Sequence, residues 1–386
     1  MAISFLQTPP SASLAQSPII FSVSESANIT QPAFQYLANL FYWTGSITNS
    51  GSVDYQLAKF PNQSGVGLFD FSRILNSTLV DPLQANPSNV VYFKGDFYSQ
   101  WQVDGTYVTG SHITASGYVA LDGYGVFQEP IGQAIQQKTP HWPIMSSGPV
   151  SQSFTDGNKG EGAVYMGNVG ASVPTKMIYS GSTGNGQFAL TATSNTTQTL
   201  IDDYPAYPGE FGFPIPSASL QWYTIQAATN TTKLGTPIYY GYECLQKYPN
   251  VRIKWKNRFG QFDWFNFYMV SQNSFSTDRK TYMPQIGSWD GSTLSYNTYD
   301  SQNLTYVVNA NQTLSVNTNW IPEEYNEILK QLLVSDEAYW IFEEDLGYFR
   351  PITINTESIT FLTNVVDKLI RYSFEFAWGQ QYKLIV

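Results

Sequence analysis

Cysteine and histidine are almost missing from this chain: Cys244, His112 and His141 are all that 386 residues contain. A single thiol allows no internal disulfide and no cysteine-based zinc or iron–sulfur site. The two imidazoles stand far apart in sequence, in no metal-ligand spacing and in no HExxH or Ser-His-Asp context, so structural or surface roles are expected for both. Charge is scarce too. Lys, Arg, Asp and Glu make up 12% of the residues, about half the roughly 25% of an average soluble domain. The formal net charge of −10 argues against nucleic acid held by bulk charge, which needs clustered cations. No apolar run approaches the roughly 20 residues of a spanning helix, and the start, Met1 to Pro10, has no basic n-region. Neither a membrane partner nor an export signal is therefore expected.

Aromatic residues are abundant instead, at 16%, within a hydrophobic share of 42%. That excludes disorder, which goes with few rings and high net charge. Interfaces between chains are depleted in Lys, Glu and Asp and enriched in Tyr, Trp and Phe, so few charges and many rings predict surface buried against other chains.

The patterning predicts a mainly β protein in three parts. In residues 1–130, short strand-forming runs such as Phe34 to Trp43, Val53 to Ala58, Val90 to Phe93, Gln102 to Val108 and Tyr118 to Leu121 alternate with turn residues. This spacing suggests an immunoglobulin- or fibronectin-like sandwich, with one helical turn at Asp70 to Leu75. Residues 131–236 are richer in Gly, Ser, Thr and Pro and predict a β domain with long loops. Residues 237–386 predict an α+β, split-barrel-like unit with one helix. In that helix Pro322 and the anionic Glu323 and Glu324 suit the first turn, and Tyr325, Ile328, Leu329, Leu332 and Leu333 form an apolar stripe. A closing hairpin is expected to pair Ser358 to Val366 with Leu369 to Trp378.

Candidate functional residues concentrate in the last part. Arg252, Lys254 and Lys256 alternate with Val251, Ile253 and Trp255, a strand with one apolar and one basic face, and Arg258 follows. Residues 233–286 hold eight cations and three anions, whereas residues 287–386 hold five cations and thirteen anions. Opposite patches on one chain can pair head to tail between copies. The expected subunit interface therefore comprises Arg252, Lys254, Lys256, Arg258, Phe262 and Trp264, facing Glu343 and Glu344. The aromatic run Phe259 to Tyr268 also has the rings and amides that recognise sugars, so a glycan-binding module is the rival reading. Acidic pairs such as Asp202-Asp203 and Glu323-Glu324 have no calcium-loop spacing, and no catalytic residue, cofactor or metal is expected.

Tyr248-Pro-Asn-Val-Arg-Ile-Lys-Trp-Lys-Asn-Arg-Phe-Gly-Gln-Phe-Asp-Trp-Phe-Asn-Phe resembles a motif of tail- and baseplate-type virion proteins of tailed bacteriophages, particularly those infecting Bacteroidetes. The motif runs basic aromatic strand, Asn-Arg-hydrophobic-Gly-Gly, aromatic strand, with Gln261 here in place of the second Gly. Gly67-Leu-Phe-Asp-Phe-Ser-Arg-Ile-Leu, Asn319-Trp-Ile-Pro-Glu-Glu-Tyr and Asp367-Lys-Leu-Ile-Arg-Tyr-Ser-Phe-Glu-Phe-Ala are similar to further stretches. The resemblance implies a non-enzymatic component of a tail, baseplate or neck, made in the bacterial cytoplasm and located in the virion. Its implied partners are copies of itself in a ring and other tail or neck proteins, with nucleic acid only as passing genome. The alternative is a receptor-binding tail protein that recognises host surface polysaccharide through residues 139–236.

Overall fold

The computed structural model describes residues 2–44, 52–79, 90–125, 127, 140–155, 158, 160–166, 174–190, 201–205, 219–243, 247–285, 287–343, 348–361 and 369–379. The protein is mainly β, with sandwich-like sheets, a helical segment of 12 residues and a short helix at Ser72–Asn76 among the described residues. It divides into two compact units. The first takes in Met1–Cys244, Lys256–Asp263 and Glu327–Ser335, and the second Leu245–Trp255, Trp264–Asn326 and Asp336–Val386. Both of the first two expected parts thus lie within one unit.

The first unit opens with a two-sheet sandwich. One sheet orders Ser4–Gln7, Ile20–Ser24 and Val66–Asp70; the other orders Ala12–Leu14, Thr106–Leu121, Val90–Val103, Gln35–Trp43 and Tyr55–Lys59. Alternation fixes which side chains meet between them. Tyr36, Ala38 and Leu40 of one sheet and Phe21, Val23 and Phe69 of the other are fully buried in one cluster. Phe21 sits at its centre, with the rings of Phe71, Phe97 and Tyr118 at 5.5, 5.0 and 5.3 Å. The expected strand Gln102 to Val108 is instead the ends of two strands, Gln102–Val103 and Thr106–Val108, joined by a two-residue turn. Asp104 and Gly105 both have positive φ, 49° and 81°, as a tight turn between twisted strands requires.

The rest of the first unit holds a five-stranded sheet in the order Gly184–Ala189, Lys176–Gly181, Trp222–Ala228, Ile238–Tyr242 and Ser151–Phe154. A two-stranded ribbon, Glu161–Tyr165 with Ile201–Pro205, accompanies it. Met145, Ala163, Tyr165 and Phe259 pack with Leu14, Tyr92, Val119 and Leu121 in a second apolar cluster.

The second unit is built on a seven-stranded sheet in the order Phe262–Phe267, Val251–Lys256, Ala338–Glu343, Tyr348–Ile354, Ser373–Trp378, Leu304–Asn317 and Gln272–Tyr282. The helical segment starts with a 3-10 turn, Glu323–Tyr325, and continues as Asn326–Val334, of which the residues from Glu327 on are counted in the first unit. Ile328, Leu329 and Leu332 are buried as the apolar stripe predicts. Pro322 lies just before the turn, in extended backbone. The closing hairpin is not formed as expected. Ser358 to Phe361 is irregular, Leu369–Ile370 pairs with Ile321–Pro322, and Ser373–Trp378 inserts between two other strands. Residues 362–366 of the expected first strand lie outside the described residues.

Candidate functional site

The basic strand is the first place where tertiary structure overrides the alternation rule. Every residue of Val251–Lys256 is buried, cations included. Alternation predicts a wet polar face only when one side of a sheet meets water, and here both sides are covered. The Arg252 guanidinium lies 5.2 Å from the Trp264 ring and the Lys254 ammonium 5.6 Å from that of Phe349. Lys256 Nζ is 2.5 Å from Asp122 Oδ2, with both side chains over nine-tenths buried. Arg258 lies over the ring of Phe259, and its backbone N–H donates to Gln331 Oε1 at 3.1 Å. Phe262 is buried and Trp264 half-buried. Thus the cations expected to face another subunit are covered by this chain's own atoms. Glu343 pairs with Tyr348 across the next hairpin, and Glu344 lies outside the described residues.

The tip of the basic hairpin is an organised polar knot. Asn257 Oδ1 accepts from the N–H groups of Phe259 and Gln261, and its Nδ2 donates to Met145 O and to Asp263 Oδ2. Asp263 Oδ1 accepts from Ser146 Oγ at 2.5 Å. Burial pushes the Asp263 carboxyl up to about 6, against the pull of the Ser146 and Asn257 hydrogen bonds. Two glycines let the chain cross itself at this point. Gly123 (φ +123°) has no room for a Cβ against the Arg258 carbonyl, and Gly260 (φ +74°) has none against that of Asp122. Without side chains the two backbones can touch, and Tyr124 N–H donates to Arg258 O at 2.9 Å.

The histidines sit in different settings. His141 is fully buried, with ring nitrogens 3.0 Å from the carbonyl oxygens of Thr236 and Gly148. Its burial holds the imidazole below the usual histidine range. His112 is exposed, 2.8 Å from Asp96 Oδ2, and stacks on Tyr98. Among the described residues no three metal-binding side chains converge, and no helix is long and apolar enough to cross a membrane.

The feature that sequence reasoning missed is an arm. All eleven residues of Gln272–Tyr282 are exposed. This strand pairs along its length with Leu304–Asn317, from Gln272 opposite Ser315 to Tyr282 opposite Leu304. Ser373–Trp378, on the far side of that partner, reaches only Thr313–Asn317. Beyond those rungs the two strands run on as a ribbon with no third strand among the described residues. Past Tyr282 comes a smaller hairpin, Ser288–Trp289 with Leu294–Ser295. Its turn is tied by Asp290, which accepts from the backbone N–H and hydroxyl of both Thr293 and Ser292. Those bonds, the Thr293 N–H above all, hold its carboxyl well below the usual range. Phe275, Tyr282, Trp289, Tyr296, Tyr299 and Tyr306 are all exposed on the arm, Tyr299 to 83%. The available signal was the scarcity of charge from 281 to 304, where Asp290 and Asp300 stand alone among four aromatic residues.

A second aromatic surface lies on the five-stranded sheet. Trp222 and Tyr239 stack at 6.1 Å and 20°, each more than a third exposed.

The sequence matches no family model and no curated protein. Among solved structures, a crystal structure of Salmonella alpha-2-macroglobulin (mutant Y1175G) is similar at 8% identity over 97% of this chain, with a TM-score of 0.18. The chain spans 27% of that structure's length.

Proposed function

We propose that the protein is a non-enzymatic structural component of a tailed-phage virion, in the tail, baseplate or neck, that assembles into a symmetric oligomer through its arm. The arm is the observation that carries the assembly part. A two-stranded ribbon exposed on both faces is at best marginally stable in water, and contiguous exposed rings mark a surface that another chain covers. The occupant is a second copy. The ribbon's charges, Asp278, Asp290 and Asp300 against Arg279 and Lys280, nearly balance, so two arms do not repel. One arm laid along a neighbour makes a heterologous contact that closes into a ring. Support for the virion is the resemblance of Tyr248 to Phe267 and the three shorter stretches.

Light scattering of the purified chain over a range of concentrations tests the assembly. An oligomer is expected, and a chain carrying Trp289→Ser, Tyr296→Ser and Tyr299→Ser should fall to monomer with its circular dichroism intact. A wild-type chain that stays monomeric at every concentration and with its virion neighbours sinks the proposal. Imaging of native particles carrying the labelled protein tests the location.

The stacked Trp222 and Tyr239 favour a second reading, binding of host surface polysaccharide, because flat ring pairs pack on sugar C–H faces. Selective glycan binding lost in Trp222→Ala would promote it, and silence across a broad array would dismiss it. Tyr207, the other ring expected to take part, lies outside the described residues.

A further inference from the structure

We propose that Lys256 and Asp122 condense into an intramolecular isopeptide bond. The inference is independent of the assembly reading and rests on four observations at one place. The nucleophile and the electrophile touch: Lys256 Nζ lies 2.5 Å from Asp122 Oδ2. The two backbones are clamped beside them by the Gly123–Gly260 crossing and by the hydrogen bond from Tyr124 N–H to Arg258 O. Such clamping gives a condensation the effective concentration of an intramolecular reaction. The second carboxyl oxygen, Oδ1, accepts from Gly123 N–H at 2.8 Å and from Gln16 Nε2 at 3.3 Å. These two donors are placed where negative charge gathers when an amine adds to the carbon. Finally, both side chains are over nine-tenths buried, and Leu121, next to Asp122, and Phe259, three residues past Lys256, belong to the apolar cluster of Leu14 and Tyr92. Burial penalises the ion pair relative to a neutral product.

The chemistry balances without an added reagent. A proton passes from the Nζ ammonium to Oδ2, leaving a neutral amine and a neutral acid. The nitrogen lone pair forms a bond to Cγ, and the pair on Oδ1 is held by the two donors. A second proton leaves nitrogen for Oδ2, the Cγ–Oδ2 bond breaks, and one water departs. Two charges disappear and one amide forms, with no change of oxidation state.

The test is the intact mass of the purified full chain after incubation at neutral pH, followed by a proteolytic digest. The expected mass is one water below the sequence mass, with a branched peptide joining the segments around residues 122 and 256. Lys256→Arg keeps the charge but presents no primary amine to condense, so it should show its full sequence mass and no branched peptide. A wild-type chain at its full sequence mass overturns the proposal and leaves a buried ion pair. A lost water that maps elsewhere, such as a succinimide at Asp290-Gly291, overturns it equally. The wild-type digest decides even if the variant fails to fold.

Discussion

Asp263 is a carboxyl group whose surroundings set it against its own ionisation. It is buried beside Ser146 and Asn257 with a value raised from 3.8 to about 6. The folded state therefore binds a proton that the unfolded chain releases, and stability from this group is fully present below pH 3.8. It is lost as pH rises through about 6. A shift of this size corresponds to something on the order of 3 kcal/mol. Urea unfolding near pH 4 and pH 7 should show a smaller loss on going to neutral pH in Asp263→Asn than in wild type; equal losses would remove this account. Gly260 makes a sharper case. Ala at this position combines positive φ with a Cβ driven into the Asp122 carbonyl, so Gly260→Ala should cost at least about 2 kcal/mol in a denaturant melt. The sequence holds both residues in plain view. It gives no sign that Ser146 and Asp122, each more than a hundred positions away, are what Asp263 and Gly260 meet.

At the scale of elements, the helix and the basic strand are both legible, but the burial of the strand's basic face is not. Ile328, Leu329 and Leu332 repeat at helical spacing and are buried together. Leu329→Ala, which empties a fully buried site, should lower stability by about 2 to 5 kcal/mol, measured by thermal or denaturant unfolding. A loss within experimental error would show that the helix is not packed as described. The basic strand Val251–Lys256 follows the alternation of a half-exposed strand, yet it is covered on both faces. Long cationic side chains can be buried when rings and a carboxylate receive them, as Trp264, Phe349 and Asp122 do here. Those partners come from elsewhere in the sequence or from the other side of the hairpin, so no local rule announces them. Asp104-Gly105 is the opposite case: a dipeptide that signals a hairpin on its own, there to be recognised inside the stretch expected to be one strand.

For the whole molecule, the arm links the scarcity of charge to assembly. If another copy covers it, assembly stabilises the folded chain by mass action. The melting temperature should then rise with protein concentration, while that of the Trp289, Tyr296 and Tyr299 triple variant should not. Concentration-independent melting of the wild type would contradict the proposed oligomer. The β-rich class, the sandwich in the first hundred or so residues and the helix Asn326–Val334 follow from periodicity, because alternation and helical spacing are local properties of the chain. Tertiary structure alone decided that the cations turn inward and that Lys256 meets Asp122. It also decided that Gln272–Tyr282 forms a strand that is left in the open. The physical reason is that burial belongs to a residue's surroundings, and surroundings are assembled from segments far apart in sequence.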